Sequence, residues 1–113
     1  MKTIFIDIDG TLVTQLDNLS EVILDAPNIL PGVLDKFDSW NWKGYKIIIT
    51  TGRKESTREA TEKELRSLGL FWDYLIMGLD AGGERILINN SDGHAAAKAI
   101  TVKTNQGLEK INL

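Results

Sequence analysis

Short apolar runs rich in β-branched residues alternate with longer segments of mixed polarity along this chain. Such runs are typical of strands in a parallel sheet, because each strand there is covered on both faces. The pattern predicts five strands, at residues 3–8, 45–50, 73–77, 85–89 and 99–102. The first strand, which ends at Asp9-Gly10, is expected to be the central one.

Two segments between these strands have apolar residues at helical spacing. The first is predicted to run from Pro31 to Gly44, and its periodic apolar positions are Val33, Leu34, Phe37 and Trp40. The second covers residues 56–68, where Ser56 and Glu59 have the spacing of a capping box and Gly69 is expected to end the helix.

The order strand, helix, strand, helix, strand predicts an α/β fold. We expect a three-layer, Rossmann-like, mostly parallel sheet with helices on both faces. Residues 11–30 show no clear period and predict a long loop or flap. With 113 residues, 42% of them hydrophobic, the chain is expected to form a single domain spanning residues 1–113.

The composition excludes several classes of protein. The formal net charge of −3 gives no indication of nucleic-acid binding. There is no cysteine, so a disulfide framework, a thiolate zinc site and a cysteine nucleophile are excluded, and the single histidine excludes a histidine cluster. No apolar run is long enough to span a bilayer, and we expect a cytoplasmic protein with no membrane partner.

Polar side chains stand where the predicted strands end. Asp7 and Asp9 close the first strand, Thr51 closes the second, and Asn90 and Asp92 follow the fourth. Because ligands of an open parallel sheet bind at the carboxyl ends of its strands, these side chains are expected to share one crevice. Carboxylates, a hydroxyl and further oxygen donors at one crevice indicate a magnesium and phosphate site.

The two carboxylates of Asp7 and Asp9 are the strongest chemical signal. Side chains two positions apart on a strand project to the same side, so both charges crowd together unless a cation or a shared proton relieves them. The pair could simply begin a turn before Gly10. Against this, burial of an Asp between Ile6 and Ile8 would be costly without a function, which favours the magnesium site.

At this point two stretches of the sequence resemble known motifs. Residues 7–12, DIDGTL, resemble the first motif of the haloacid dehalogenase superfamily, and residues 47–53, IIITTGR, resemble its second. By this resemblance, Asp7 is the nucleophile that becomes an aspartyl phosphate. The resemblance also implies that Asp9 is the general acid and base, and that its main-chain carbonyl helps to bind Mg²⁺.

The resemblance implies substrate-binding residues as well. The hydroxyl of the second motif falls on Thr51, which would bind a phosphoryl oxygen together with the backbone amides near Gly52. Thr50 takes this role if the register differs by one residue. Taken alone, Thr51 would more simply be a turn residue at a strand end.

The later motifs are matched less closely. Arg85 is the best match for the basic residue of the third motif, although Arg53 or Lys54 could reach the phosphate instead. The fourth motif normally supplies an acidic residue, but Asn90 stands at that position. An Asn oxygen can bind Mg²⁺ but brings no charge, so weaker metal binding is expected unless Asp92 substitutes for it.

Three functions remain open from the sequence. The leading hypothesis is a magnesium-dependent phosphatase that hydrolyses a phosphomonoester. The chain has no room for a cap domain, so an open site suits a phosphorylated small molecule or macromolecule, or is closed by a second subunit of a homo-oligomer or by the segment of residues 14–28. The alternative is a weak or inactive member that binds a phosphorylated ligand or partner protein. A phospho-accepting receiver domain fits less well, because no later strand ends in a separate Asp.

Overall fold

A computed structural model describes residues 1–15, 28–90 and 96–113. Within these ranges, strands, helices and one 3₁₀ turn follow in the order β1 (Thr3–Asp7), α1 (Val33–Trp42), β2 (Lys46–Thr50), the 3₁₀ turn (Glu55–Thr57), α2 (Arg58–Ser67) and β3 (Tyr74–Ile76). The predicted order of the first five elements is confirmed. No helix in the described ranges is long and apolar enough to cross a membrane.

The three strands form one parallel sheet in the order β1-β2-β3. Thr3 is opposite Lys46 and Asp7 is opposite Thr50, so the ends of β1 and β2 are aligned. Thr50 is in turn opposite Ile76 at the end of β3. The α/β fold with a parallel sheet is therefore confirmed, and the described residues contain no cap domain.

One face of the sheet carries the hydrophobic core. Its buried side chains from the three strands are Ile4, Ile6, Ile47, Ile49 and Leu75. Both crossovers lead in the same direction across the sheet, so right-handed connections place α1 and α2 on the same face. The rings of Phe37 on α1 and Phe71 after α2 are accordingly 5.7 Å apart.

The opposite face of the sheet is largely exposed. Phe5 is 51% exposed and Tyr74 is 64% exposed. Side chains of a strand alternate between its faces, so Asp7 belongs to this same open side of β1. A helical layer on this face does not occur within the described ranges.

Helix α1 begins two residues later than the sequence predicted. Pro31 and Gly32 form a turn, and Gly32 has φ 79°, a left-handed conformation that no helix can continue through. Val33, Phe37 and Trp40 are buried as expected from their spacing, whereas Leu34 is 45% exposed. The start of α1 therefore differs from the prediction because of the backbone conformation of Gly32, and not because of the spacing of the apolar residues.

Helix α2 also differs from its prediction at the start. The 3₁₀ turn precedes it, and no side chain caps the helix at Thr57, so the predicted capping box between Ser56 and Glu59 is wrong. Gly69, with φ 87°, follows the end of the helix as expected. Leu65 is the main apolar residue that α2 buries.

The predicted fourth and fifth strands are also wrong within the described residues. Residues 85–90 are irregular, and Ile86 and Ile88 are 74% and 91% exposed. Residues 99–102 have no regular structure either. An apolar β-branched run becomes a strand only when a neighbouring strand accepts its hydrogen bonds, and local pattern cannot supply that partner.

Candidate functional site

An open cleft of about 730 Å³ lies at the carboxyl ends of β1 and β2. The lining residues come from both strand ends, the segment after Asp9 and the loop after β3: Asp7, Asp9, Thr14, Gln15, Thr50, Thr51, Gly52, Arg53, Ala81, Gly83 and Arg85. This is the position at which open α/β sheets bind their ligands. Five residues predicted for the site, Asp7, Asp9, Thr51, Gly52 and Arg85, all line it.

Asp7 is the last residue of β1 and lies opposite Thr50 in the sheet. Partial burial raises the pKa of the Asp7 carboxyl, and the nearby charge of Asp9 raises it further. A hydrogen bond from the Ile8 N–H and the positive charge of Arg85 oppose this rise. The charged carboxylate of Asp7 is therefore destabilised at the cleft, which is a condition that a bound cation would relieve.

Asp9 has a very different environment, because Arg53 holds its carboxylate in a bidentate ion pair. Arg53 Nε donates to Asp9 Oδ2 over 3.0 Å, and Nη2 donates to Oδ1 over 2.7 Å. The third guanidinium nitrogen donates to Glu64 Oε2 over 2.6 Å. These hydrogen bonds, that to Asp9 first, raise the pKa of Arg53, so it remains a cation between two carboxylates.

Helix α2 is the element that positions Arg53. Besides Glu64, the buried Thr61 of this helix accepts from Arg53 Nη1 over 3.4 Å. The Arg53 side chain is 21% exposed and that of Glu64 is 27% exposed, so water screens the pair only in part. The Arg53 guanidinium thus connects the Asp9 carboxylate to helix α2.

Thr51 and Gly52 form the turn that follows β2. Thr51 is 1% exposed, and its Oγ1 accepts the Arg53 backbone N–H over 3.1 Å, which fixes the start of the turn. Its own N–H donates to Ile76 on β3. A Cβ on Gly52 would lie 2.9 Å from Cα of Ala81, so only glycine lets the loop after β3 approach this closely.

Arg85 reaches the cleft from an irregular loop. Its Nη1 donates to the carbonyl oxygens of Asp80 and Gly83, over 2.8 Å in each case. Asp80 also caps this turn by accepting the Gly82 N–H at Oδ1 over 3.0 Å. The guanidinium is therefore held by the turn that precedes it, in the loop after β3 that lines the cleft together with the strand ends.

Of the two metal ligands predicted after residue 89, the structure describes Asn90 and does not bring it into this group. Asn90 is exposed and does not line the cleft, and Asp92 lies outside the described residues. Within the described part of the chain, no three Asp, Glu or His side chains cluster closely enough to hold a metal ion. Mg²⁺ commonly takes one or two carboxylates together with water and substrate phosphate, and the Asp7 carboxylate with the Asp9 main-chain oxygen fits that mode.

Sequence reasoning predicts Arg53 only as a possible phosphate ligand, and it does not identify Glu64. The ion pair joins positions 44 residues apart, so no local spacing could reveal it. The available signal was the polar pair Thr61 and Glu64, which share one side of an amphipathic helix with Leu65 close by.

Comparison with known proteins identifies solved structures to which this chain is similar. No curated protein matches the chain. Two solved structures, of the Pnkp1/Rnl/Hen1 complex and of the Pnkp1/Rnl/Hen1 RNA repair complex, each contain a chain that is 28% identical with a TM-score of 0.55. The matches cover 75% and 74% of this chain but 30% and 27% of those chains, so this chain spans less than a third of their length.

A third solved structure is D,D-heptose 1.7-bisphosphate phosphatase from B. bronchiseptica, complexed with magnesium and phosphate. It is 19% identical with a TM-score of 0.49, and the match covers 82% of this chain and 54% of that one. The family model described as haloacid dehalogenase-like hydrolase matches residues 4–101, which include the whole cleft and, apart from Thr3, all three strands. The chain therefore belongs to the haloacid dehalogenase-like hydrolase family.

Proposed function

We propose that this domain is a magnesium-dependent phosphatase that hydrolyses a phosphomonoester through an aspartyl phosphate on Asp7. The observation that carries the proposal is the pair of unlike carboxylates at one cleft. Asp7 is partly desolvated and faces the opening, whereas Asp9 is held by Arg53. Family membership supports a hydrolase, and a cleft that Arg85 lines supports a phosphate as the group bound.

In the first step, an oxygen of Asp7 attacks phosphorus and the bond from phosphorus to the ester oxygen breaks. The leaving oxygen takes a proton from the Asp9 carboxyl. In the second step, the Asp9 carboxylate removes a proton from water, and the water oxygen attacks the same phosphorus, which releases phosphate and regenerates Asp7. The reaction consumes one ester and one water and yields an alcohol and inorganic phosphate.

The ion pair with Arg53 holds the Asp9 carboxylate at the cleft. Both carboxylate oxygens accept from the guanidinium, so one of them must be released from Arg53 before Asp9 can give a proton to the leaving oxygen. Arg53 is thus a positioning residue for the acid and base roles of Asp9.

Mg²⁺, when bound by the Asp7 carboxylate and the Asp9 main-chain oxygen, would neutralise charge on the phosphoryl oxygens. Thr51 and the amides of the Gly52 turn would hold a phosphoryl oxygen from the β2 side. Arg85 would approach from the loop after β3, where the carbonyls of Asp80 and Gly83 orient it. The openness of the cleft suits a substrate with a bulky remainder beyond the phosphate.

Phosphate release with Mg²⁺ tests the proposal. The wild type is compared with Asp7→Asn on an aryl phosphate, a sugar phosphate and a phosphorylated RNA end, the last because one similar structure is of an RNA repair complex. The control is Asp38→Asn, an exposed residue of α1. We expect release by the wild type and the control and a loss of about a thousandfold or more in Asp7→Asn. Equal rates in all three proteins would reject the proposal.

A second function is favoured by one specific observation. The described residues lack an acidic cluster at the cleft, and the carboxylate of Asp9 is already neutralised by Arg53. These features also suit a domain that binds a phosphorylated ligand or partner protein with little or no turnover. Saturable stabilisation by inorganic phosphate and Mg²⁺ without hydrolysis of any substrate in the panel would favour this function.

Substitution of Asn90 tests whether this residue contributes to Mg²⁺ binding, which both proposed functions involve. If Asn90 is a weak Mg²⁺ ligand, Asn90→Asp adds a charge to the donor set and raises Mg²⁺ affinity by about tenfold. Asn89→Asp, one position earlier on the same exposed segment, is the matched control and is expected to leave the affinity unchanged. Equal affinities for both variants would remove Asn90 from the proposed site.

A further inference from the structure

The C-terminal segment, residues 103–113, contacts the loop that follows Asp9. Asn105 makes three hydrogen bonds to this loop. Its backbone N–H donates to the Gly10 carbonyl over 2.8 Å, its Oδ1 accepts the Gln15 N–H over 2.7 Å, and its Nδ2 donates to the Gln15 carbonyl over 3.2 Å. One residue thus joins both ends of the segment 10–15.

Asn105 is held in an unusual backbone conformation. Its φ of 63° is the only positive value found among the non-glycine residues that the structure describes. Asn tolerates this left-handed region better than most residues, although it remains less favourable than the usual conformations. The side chain is thereby aimed along the backbone of Gln15, and both polar groups of its amide are used.

The tail that carries Asn105 is anchored to the core. Leu108 is 2% exposed, and its N–H donates to the Pro31 carbonyl over 2.9 Å. At the other end of the contact, a Cβ on Gly10 would lie 3.1 Å from Cγ2 of Thr104, so the tail and the loop are closely packed. Asn105 therefore connects a fixed part of the molecule to the loop.

The segment 10–15 forms one wall of the cleft. Thr14 and Gln15 line the cleft together with Asp7 and Asp9. The beginning of the segment is fixed by hydrogen bonds from its amides to the Ile8 carbonyl. At its other end, the N–H and the hydroxyl of Thr14 donate to the Asn28 carbonyl, whereas the N–H and the carbonyl of Gln15 are both hydrogen-bonded to the Asn105 side chain.

We propose that Asn105 is a positioning residue that holds Gln15 in the wall that Gln15 forms with Thr14, and with it sets the binding of the phosphorylated substrate. This inference rests on the proposed function, since it assigns the wall a role at the same cleft. Asn105 lies 90 residues from Gln15 in sequence and does not itself line the cleft, so it acts through the loop.

Asn105→Gly is the most informative variant. Glycine accepts the positive φ without strain, so the substitution removes the two side-chain hydrogen bonds while the backbone conformation stays favourable. Asn105→Asp retains an acceptor for the Gln15 N–H but loses the donor, and is expected to be intermediate. Gln106→Ala, the next residue along the tail, is the matched control.

The experiment measures KM and kcat for an aryl phosphate with Mg²⁺, the exchange rate of the Gln15 amide hydrogen by NMR, and Tm. For Asn105→Gly we expect a KM about fivefold higher or more, a kcat within about twofold of wild type, and faster exchange at Gln15. Unchanged exchange, or faster exchange with unchanged KM, overturns the proposal. A lower Tm and kcat with an unchanged KM would indicate a structural role only and also overturns it.

Failure of the proposed function can be distinguished from failure of this inference. If the wild type shows no Asp7-dependent turnover, the phosphatase is rejected, and the Kd for inorganic phosphate replaces KM as the readout. Weaker phosphate binding and faster Gln15 exchange in Asn105→Gly then support the positioning role. Unchanged phosphate binding in that variant rejects it.

Discussion

The two sides of the cleft are held by different forces. On one side, Asp7 ends β1 and Thr51 follows β2, and the buried side chains of both strands belong to the core, so the backbones of Asp7 and Thr51 are fixed by the sheet. On the other side, Arg85 is held by two carbonyls of its own turn, and the segment after it leaves Ile88 91% exposed. Asp7, the proposed nucleophile, is therefore held by the sheet. Arg85, which is proposed to neutralise the phosphate charge, is held by its own turn.

The largest expected difference between the two sides is in stability. Ile49→Ala removes a fully buried side chain from β2 and should lower the free energy of unfolding by about 2–4 kcal/mol. Ile88→Ala should change it by less than about 0.5 kcal/mol, because that side chain is already in water. Urea denaturation of both variants measures the difference. A similar cost at the two positions would mean that residues 86–88 are packed in solution.

Arg53 links the side of the cleft held by the sheet to helix α2, and its removal should be the next largest effect. Arg53→Gln leaves the carboxylates of Asp9 and Glu64 without their shared cation, at a cost of about 1–2 kcal/mol after allowance for partial exposure. Arg58→Gln breaks the exposed pair with Glu55 and one hydrogen bond to the Leu75 carbonyl; it is the control, and we expect it to cost less stability than Arg53→Gln. Equal losses of stability in the two variants would show that Arg53 contributes no more to stability than an exposed ion pair does.

The two threonines at the end of β2 allow a finer comparison within the side held by the sheet. If Thr51 binds the phosphoryl oxygen, Thr51→Val should lower kcat/KM by about tenfold or more, and Thr50→Val by about threefold or less. The register makes this a demanding test, since it is Thr50 that lies opposite Asp7. The reverse order of effects would transfer the phosphate-binding role to Thr50.

The smallest expected effect concerns the charge of Asp7 itself. Its pKa is raised above the ordinary 3.8, so folding disfavours its carboxylate. The protonated group favours the folded state, and this advantage is lost as pH rises through the raised pKa. Without divalent metal, Asp7→Asn should therefore have a Tm roughly 1–3 °C above wild type at neutral pH, and the gap should vanish below the ordinary pKa. A gap between Asp7→Asn and the wild type that stays constant across this pH range would contradict the argument.

The parts of this structure that sequence predicts are the parts fixed by local pattern. The runs that became β1 and β2 were placed correctly because burial and β-branching act within a few residues. The residues at their ends, Asp7 and Thr51, then followed from the geometry of a parallel sheet. Leu34 and Ser56 were misjudged because helix phase and capping depend on where the backbone turns before each helix.

Contacts between distant segments could not be predicted in this way. The strand expected at 85–89 lacks a pairing partner among the described residues, although its residues have every local property of a strand. The pairing of Arg53 with Asp9 and of Asn105 with Gln15 spans 44 and 90 residues of sequence. Such contacts depend on how packed elements meet, and a single sequence without its fold does not encode them in any spacing.

The most direct test of the central claim is to trap the covalent intermediate. The protein is mixed with an aryl phosphate and Mg²⁺, quenched in acid within a single turnover, and digested for peptide mass spectrometry. The account predicts one added phosphoryl group on the peptide that contains Asp7, and none in Asp7→Asn. Hydrolysis by the wild type with the phosphoryl group on another residue, or with none on Asp7 at any quench time, would contradict it.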